Sequence, residues 1–159
     1  MRRVFLAGTT TGTTWRAELT ERLIARGVQQ GQIVNPHLPR GVKYTSEHMR
    51  LERECKQDPH TIVLIFICPA VVDAKPHPVP AAYREELLGP ISMFEIGKFA
   101  YSQPERTAVV LDSESFTQGN RPRSVLEGLA LEISQDFDGQ PPFFASLTHA
   151  EDWLVAQLA

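Results

Sequence analysis

The hydrophobic positions of the chain fall into short apolar runs that are separated by longer segments with helical periodicity. The runs that predict strands cover residues 4–7, 33–34, 61–68, 107–111 and 143–144. The run at 61–68 is apolar on both faces, which is typical of a central strand in a parallel sheet. The run at 143–144 is expected to be a short edge strand. Gly8 and Asn35 directly follow the first two runs and end them.

The segments between these runs repeat apolar residues at helical spacing. Trp15, Leu19 and Leu23 define the first predicted helix, and Gly27 is a plausible C-terminal stop. Further helices are predicted over residues 46–56, 92–101 and 125–133, and a last one opens with the capping-box pattern Thr148-His149-Ala150-Glu151. Residues 69–89 contain four prolines and are expected to form a lid, a binding loop or a disordered segment.

Strands that alternate with helices predict a parallel sheet with right-handed crossover connections. A length of 159 residues fits one such α/β domain over the whole chain. Ligands of open parallel sheets bind beyond the carboxyl ends of the strands. We therefore expect one crevice, bordered by residues 8–14, 35–37, 69–89 and 112–123.

Composition and charge narrow the range of partners. A net charge of −3 with scattered Lys and Arg lacks the basic patch of a nucleic-acid-binding domain. The longest apolar run is too short to cross a bilayer, and the stretch after Arg2-Arg3 is too short for a signal peptide. Two cysteines make no disulfide framework, and the five histidines show no ligand spacing. We expect a soluble cytosolic protein with no metal and with neither nucleic acid nor membrane as partner.

Hydroxyl-bearing residues follow the first strand in the run Thr9-Thr10-Thr11-Gly12-Thr13-Thr14. Hydroxyls and backbone N–H groups at a strand-to-helix turn make a good cradle for an anion. The run also looks like the Thr-x-Thr-Gly-x-Thr phosphate loop of flavodoxins. The alternative is that Thr13 or Thr14 simply caps the first helix.

A second motif lies at the start of the third helix, where Ser92 and Glu95 have capping-box spacing. Glu95 is then either a helix cap or a functional carboxylate that the helix dipole keeps ionised. A glycine in a helix costs about 1 kcal/mol relative to alanine, so Gly97 suggests that something packs tightly against this turn. An ionised carboxylate over a crevice is what a glycosyl-transferring nucleophile requires.

Several patches between residues 4 and 111 carry a family resemblance. The opening Phe5-Leu6-Ala7-Gly8-Thr9, followed by Trp15-Arg16-Ala17-Glu18-Leu19, resembles the nucleoside 2-deoxyribosyltransferase-like family. Asn35-Pro36 after the second strand and the Ser-x-x-Glu-x-Gly-x-x-Ala pattern at residues 92–100 are similar to that family too.

The resemblance implies a flavodoxin-like (Rossmann-like), open and mostly parallel sheet of about five strands flanked by helices, and an enzyme that cleaves or exchanges the N-glycosidic bond of a nucleoside or nucleotide without a cofactor. Glu95 is the implied nucleophile of a retaining mechanism. Asp112 or Asp58 is expected to assist with the base, and Asp73 is a further candidate. The implied substrate contacts are Gly8, Thr9, Thr10, Thr11, Gly12, Trp15, Asn35 and Ser92.

Two of these residues, Trp15 and Asn35, also have a purely structural interpretation, and the function of the whole chain has alternatives as well. Trp15 also fits a core position, and Asn35 also fits a simple strand end. A nucleotide-binding or sensor module without turnover is the second hypothesis for the whole chain, and a flavodoxin-like FMN carrier is the third. A homodimer or higher homo-oligomer is expected, since relatives in the resembled family often share active sites between subunits.

Overall fold

The computed structural model describes residues 1–9, 13–36, 38, 42–69, 90–116, 121–136 and 142–159. Within these ranges five strands alternate with five helices. The strands are β1 (Arg3–Gly8), β2 (Ile33–Val34), β3 (Thr61–Ile67), β4 (Thr107–Leu111) and β5 (Phe143–Phe144). The helices are α1 (Trp15–Ala25), α2 (Ser46–Gln57), α3 (Pro90–Ser102), α4 (Arg121–Asp136) and α5 (Leu147–Leu158).

The described strands form one open sheet in the order β2-β1-β3-β4-β5, and every pair of neighbours is parallel. This is the flavodoxin-like α/β fold that the sequence predicts. The chain adds β2 on one side of β1 and then adds β3 and β4 on the other side. The sheet therefore has its topological switch point between the carboxyl ends of β1 and β3, which is where ligands of such sheets bind.

The two faces of the sheet carry separate cores. One face packs against α1 and α5 through residues such as Leu6, Leu19 and Leu154. The other face packs against α2, α3 and α4 through residues such as Phe5, Ile96 and Leu126. All seven residues of β3 are buried, as predicted for a central strand. Three helices therefore cover the face on which the third predicted helix, α3, lies.

Two helices begin earlier than the capping-box patterns predict. Because α3 begins at Pro90, Ser92 lies inside its first turn and Glu95 lies beyond that turn. Proline is favoured at the first position of a helix, which explains the early start. The last helix, α5, begins after the N-cap residue Ser146, and Glu151 pairs with Arg22 across a 2.7 Å contact. The predictions of Ser92 and Thr148 as N-caps are therefore wrong.

Some predicted features lie outside the described residues. These features are Thr10, Thr11, Gly12, His37, the candidate acid Asp73 and the predicted loop beyond Pro69. No helix in the described part of the chain is long and apolar enough to cross a bilayer.

Candidate functional site

The carboxyl end of β1 meets β3 at a point where only glycine fits. Gly8 has a φ of +113°, in the region that favours glycine. A Cβ atom at this position would lie 2.0 Å from the carbonyl oxygen of Phe66 on β3. The close approach of the two strands at the switch point therefore depends on Gly8.

Thr9 ties the ends of the same two strands together. Its Oγ1 donates to the carbonyl oxygen of Cys68 at 3.1 Å and accepts from the Cys68 N–H at 3.3 Å. Its own N–H donates to the carbonyl oxygen of Phe66 at 2.9 Å. Thr9 is buried, and these bonds commit its side chain to the framework of the crevice. The structure thus gives the predicted substrate contact a structural role.

Two α1 residues hold the carbonyl groups at the end of β1. The carbonyl oxygen of Thr9 accepts from Trp15 Nε1 at 2.7 Å and from Arg16 Nη1 at 3.1 Å. Arg16 also donates to the carbonyl oxygens of Leu6 and Gly8. Burial lowers the pKa of Arg16 to about 10, and the negative charge of Glu95 opposes that shift. Trp15 is buried in the core, as the core alternative predicts, and its substrate contact stays a prediction.

Glu95 lies on α3, which packs against both β1 and β3. Its side chain is 13% exposed, and its Oε1 accepts from Lys56 Nζ of α2 at 2.5 Å. The helix dipole acts mainly within the first turn, and Glu95 lies beyond it. The expectation that the dipole holds this carboxylate is therefore wrong, and the partner charge is the Lys56 ammonium.

The same ammonium group contacts a second carboxylate. Lys56 Nζ lies 3.4 Å from Glu52 Oε2 and 4.6 Å from the centre of the Phe5 ring, and the lysine side chain is only 12% exposed. Because one nitrogen atom makes both contacts, the two carboxylate oxygens lie no more than about 6 Å apart. We name Glu52, Lys56 and Glu95 the charge triad.

Tyr44 extends the charge triad toward solvent. Partial burial and a hydrogen bond to Glu52 raise the pKa of Tyr44 to about 12, so the phenol stays protonated at neutral pH. The ring is 52% exposed and stacks on His48 at a centroid distance of 5.9 Å. An aromatic face therefore lies beside the two carboxylates.

Three further predicted residues lie on α3 or directly after a strand. Ser92 is buried on α3, one turn before Glu95 and on the same side of the helix. Asn35 is exposed directly after β2. Asp112 follows β4, and its carboxylate accepts from the backbone N–H and the hydroxyl of Ser115 at 3.3 and 2.5 Å. Asn35 and Asp112 thus lie at the carboxyl end of the sheet, where Gly8 and Thr9 also lie.

Asp58 lies at the other end of the sheet. Its carboxylate pairs with Arg3 at the start of β1 at 2.6 Å and accepts from the His60 N–H at 2.7 Å. The five residue steps from Arg3 to Gly8 span roughly 16 Å at strand geometry. The structure therefore places Asp58 at the amino end of the sheet and not beside Gly8 and Thr9, and its predicted catalytic role stays a prediction.

Gly97 also differs from expectation. It is exposed, and a Cβ atom added to it would meet nothing within 4 Å in the described part of the chain. The prediction of tight packing against this turn is therefore not supported, and Gly97 does not help to identify the site.

The other two members of the charge triad, Glu52 and Lys56, are not indicated by any motif in the sequence. Glu52 and Lys56 show only the four-residue spacing of a common helix-surface ion pair. Lys56 meets Glu95 across 39 residues of sequence, a contact that α2 and α3 create only when both pack on the sheet.

The chain has no match among the known proteins with which it was compared, whether family models, curated proteins or solved structures. No group of three or more His, Cys, Asp and Glu side chains that could hold a metal ion occurs among the residues that the structure describes.

Proposed function

We propose that this protein cleaves or exchanges the N-glycosidic bond of a nucleoside or nucleotide, with Glu95 as the nucleophile. The observation that carries the proposal is the Glu95 carboxylate of α3, which is largely buried and pairs with the Lys56 ammonium of α2, on a helix that packs on β1 and β3. Hydrogen bonds between an ammonium group and a carboxylate are strong, and a positioned glutamate carboxylate can act as the nucleophile of a glycosidic reaction. The resemblance of residues 92–100 to the transferase-like family supports the same residue.

In the proposed reaction, a carboxylate oxygen of Glu95 attacks C1′ of the sugar through an oxocarbenium-like transition state. The C1′–N bond breaks, its electron pair goes to the base nitrogen, and the base takes up a proton from water. The result is a glycosyl ester on Glu95. Water or a second base then attacks C1′, loses a proton and releases the carboxylate, so the sugar keeps its configuration.

The surrounding residues have complementary proposed roles. Ser92 lies one turn from Glu95 and is proposed to hold the sugar. Asn35 directly follows β2, at the carboxyl end of the sheet. Asp112 is proposed to contact the base from the end of β4. The exposed Tyr44 ring offers a flat surface on which a nucleobase can stack. Gly8 and Thr9 act indirectly, by fixing the two strands that flank the crevice.

A substrate panel tests this function. The purified protein is incubated with ribo- and deoxyribonucleosides and their 5′-monophosphates, with and without free acceptor bases, and the products are separated by chromatography. Release of free base supports hydrolysis, and a new nucleoside supports transfer. Saturable nucleotide binding without any product favours the sensor module instead. A stoichiometric flavin absorbance band in the purified protein contradicts the proposal in favour of the FMN carrier.

A further inference from the structure

We infer that Lys56 is a positioning residue whose ammonium group changes its main ion-pair partner between Glu95 and Glu52 during the two half-reactions. This inference rests on the proposed nucleophilic role of Glu95. Its structural basis is the charge triad, in which one ammonium group lies 2.5 Å from Glu95 and 3.4 Å from Glu52. The ammonium therefore has a second carboxylate partner within reach when the first loses its charge.

The ammonium group of Lys56 lies in a largely buried position, where its electrostatic interactions with nearby carboxylates are strong. Its side chain is 12% exposed and its ammonium lies over the Phe5 ring, so bulk water screens its contacts poorly. Hydrogen bonds between charged groups in such surroundings are strong. An ammonium that lost its partner here would be costly, because a buried unpaired charge is strongly destabilising.

The two half-reactions place opposite demands on this ammonium. When Glu95 attacks C1′ and the C1′–N bond breaks, the carboxylate becomes a neutral ester, and Lys56 keeps Glu52 as its counter-ion. When water attacks C1′, the C1′–O bond to Glu95 breaks and its electron pair returns to the carboxylate oxygen. The proton of the attacking water goes to solvent. Lys56 stabilises the charge that develops on Glu95 in this second step, so it assists release of the sugar.

Among the described residues other polar groups also act on Glu95, and none of those named here replaces Lys56. Arg16 of α1 interacts electrostatically with Glu95, but three backbone carbonyl oxygens hold its guanidinium in place. Tyr44 and Glu52 face the same carboxylate from the segment before α2 and from α2 itself. Tyr44 is neutral and Glu52 is negative, so the mobile positive charge beside Glu95 is that of Lys56.

Intact-protein mass spectrometry during turnover tests the inference. The best substrate from the panel is mixed with enzyme at neutral pH, quenched rapidly, and the fraction of protein that carries a sugar is measured. In Lys56→Met, loss of one hydrogen bond to a charged group is expected to slow sugar release by about tenfold or more. The modified fraction should then rise above that of the wild type. Lys56→Arg should restore the wild-type fraction, because it keeps the charge.

Glu52→Gln is the matched variant with the opposite expectation. Without Glu52, the ammonium pairs with Glu95 alone, the attack on C1′ becomes the slow step, and the modified fraction should fall below that of the wild type.

The outcomes separate this inference from the proposed function. If the wild type releases base and Glu95→Gln does not, but Lys56→Met leaves the modified fraction unchanged, the role of Lys56 is refuted and the nucleophile stands. If the wild type releases no base from any substrate, the proposed function itself fails, and the inference with it.

Discussion

Replacement of Thr9 by valine tests whether this residue holds the crevice together or contacts the substrate. Valine keeps the size and shape of the side chain but removes the hydroxyl group. The Cys68 N–H and carbonyl groups, which bond to that hydroxyl at 3.3 and 3.1 Å, then lose it as a partner in a buried setting. An unsatisfied buried backbone group costs about 1–3 kcal/mol, so we expect Thr9→Val to lose about 2–4 kcal/mol of unfolding free energy.

The assay is denaturant and thermal unfolding of Thr9→Val beside Thr9→Ser. For a domain of this size a loss of 1 kcal/mol lowers Tm by about 2–4 °C, so Thr9→Val should melt roughly 5–15 °C below the wild type. Thr9→Ser keeps the hydroxyl and should lose less than half as much. A Thr9→Val variant that melts like the wild type but no longer binds nucleotide would refute the structural role and make Thr9 a ligand contact.

The remaining predictions concern α3 and the amino end of the sheet, where Asp58 lies. Gly97→Ala should raise Tm by about 1–4 °C, because alanine favours helix by up to about 1 kcal/mol and its Cβ meets open space; Gly128→Ala on α4 is the matched control. If Gly97→Ala lowers Tm while Gly128→Ala raises it, something does pack against that turn. The N–H of His60 and the Arg3 guanidinium hold the pKa of Asp58 below its usual value, so this carboxylate stabilises the fold above about pH 4 and the effect is lost as pH falls through the lowered pKa. The Tm of Asp58→Asn should therefore lie below that of the wild type at pH 7, and the difference should disappear as the pH falls below the lowered pKa. If Asp58→Asn instead loses base release with an unchanged Tm, Asp58 has a catalytic role.

The strands could be predicted from the sequence to within about one residue. The apolar runs at 4–7 and 61–68 became Arg3–Gly8 and Thr61–Ile67, because burial on both faces of a parallel sheet leaves a continuous hydrophobic signal. Helix starts were harder to predict. The fourth helix begins at Arg121, although its apolar positions begin only at Val125, since a polar first turn carries no periodicity.

The capping-box patterns misled for a common physical reason. In each pattern the glutamate three residues after the Ser or Thr has a distant basic partner instead of the local backbone. Glu95 pairs with Lys56, and Glu151 pairs with Arg22 and Arg26. Tertiary ion pairs of this kind depend on how helices pack, which local spacing does not encode.

The candidate site was therefore only partly predictable. Gly8 and Glu95 stand out in the sequence because a strand-ending glycine and a helix-borne glutamate belong to recognisable patterns. Lys56 and Glu52 belong to a polar helix that carries no motif. Their contact with Glu95 becomes evident only from the packing of α2 and α3 over Phe5. Asp58 follows that helix closely in sequence, yet it lies at the far end of the sheet.

The central claim, that Glu95 is a nucleophile, is tested most directly by comparing the wild type with Glu95→Gln. The substitution removes the charge and keeps the size of the side chain, while Lys56 retains Glu52 as a partner, so the variant should remain folded in a thermal melt. Base release and the sugar adduct on the intact protein are then measured on the same substrate. The account predicts that base release falls by orders of magnitude and that the adduct disappears, because the covalent route is lost. Wild-type rates of base release in folded Glu95→Gln would contradict it.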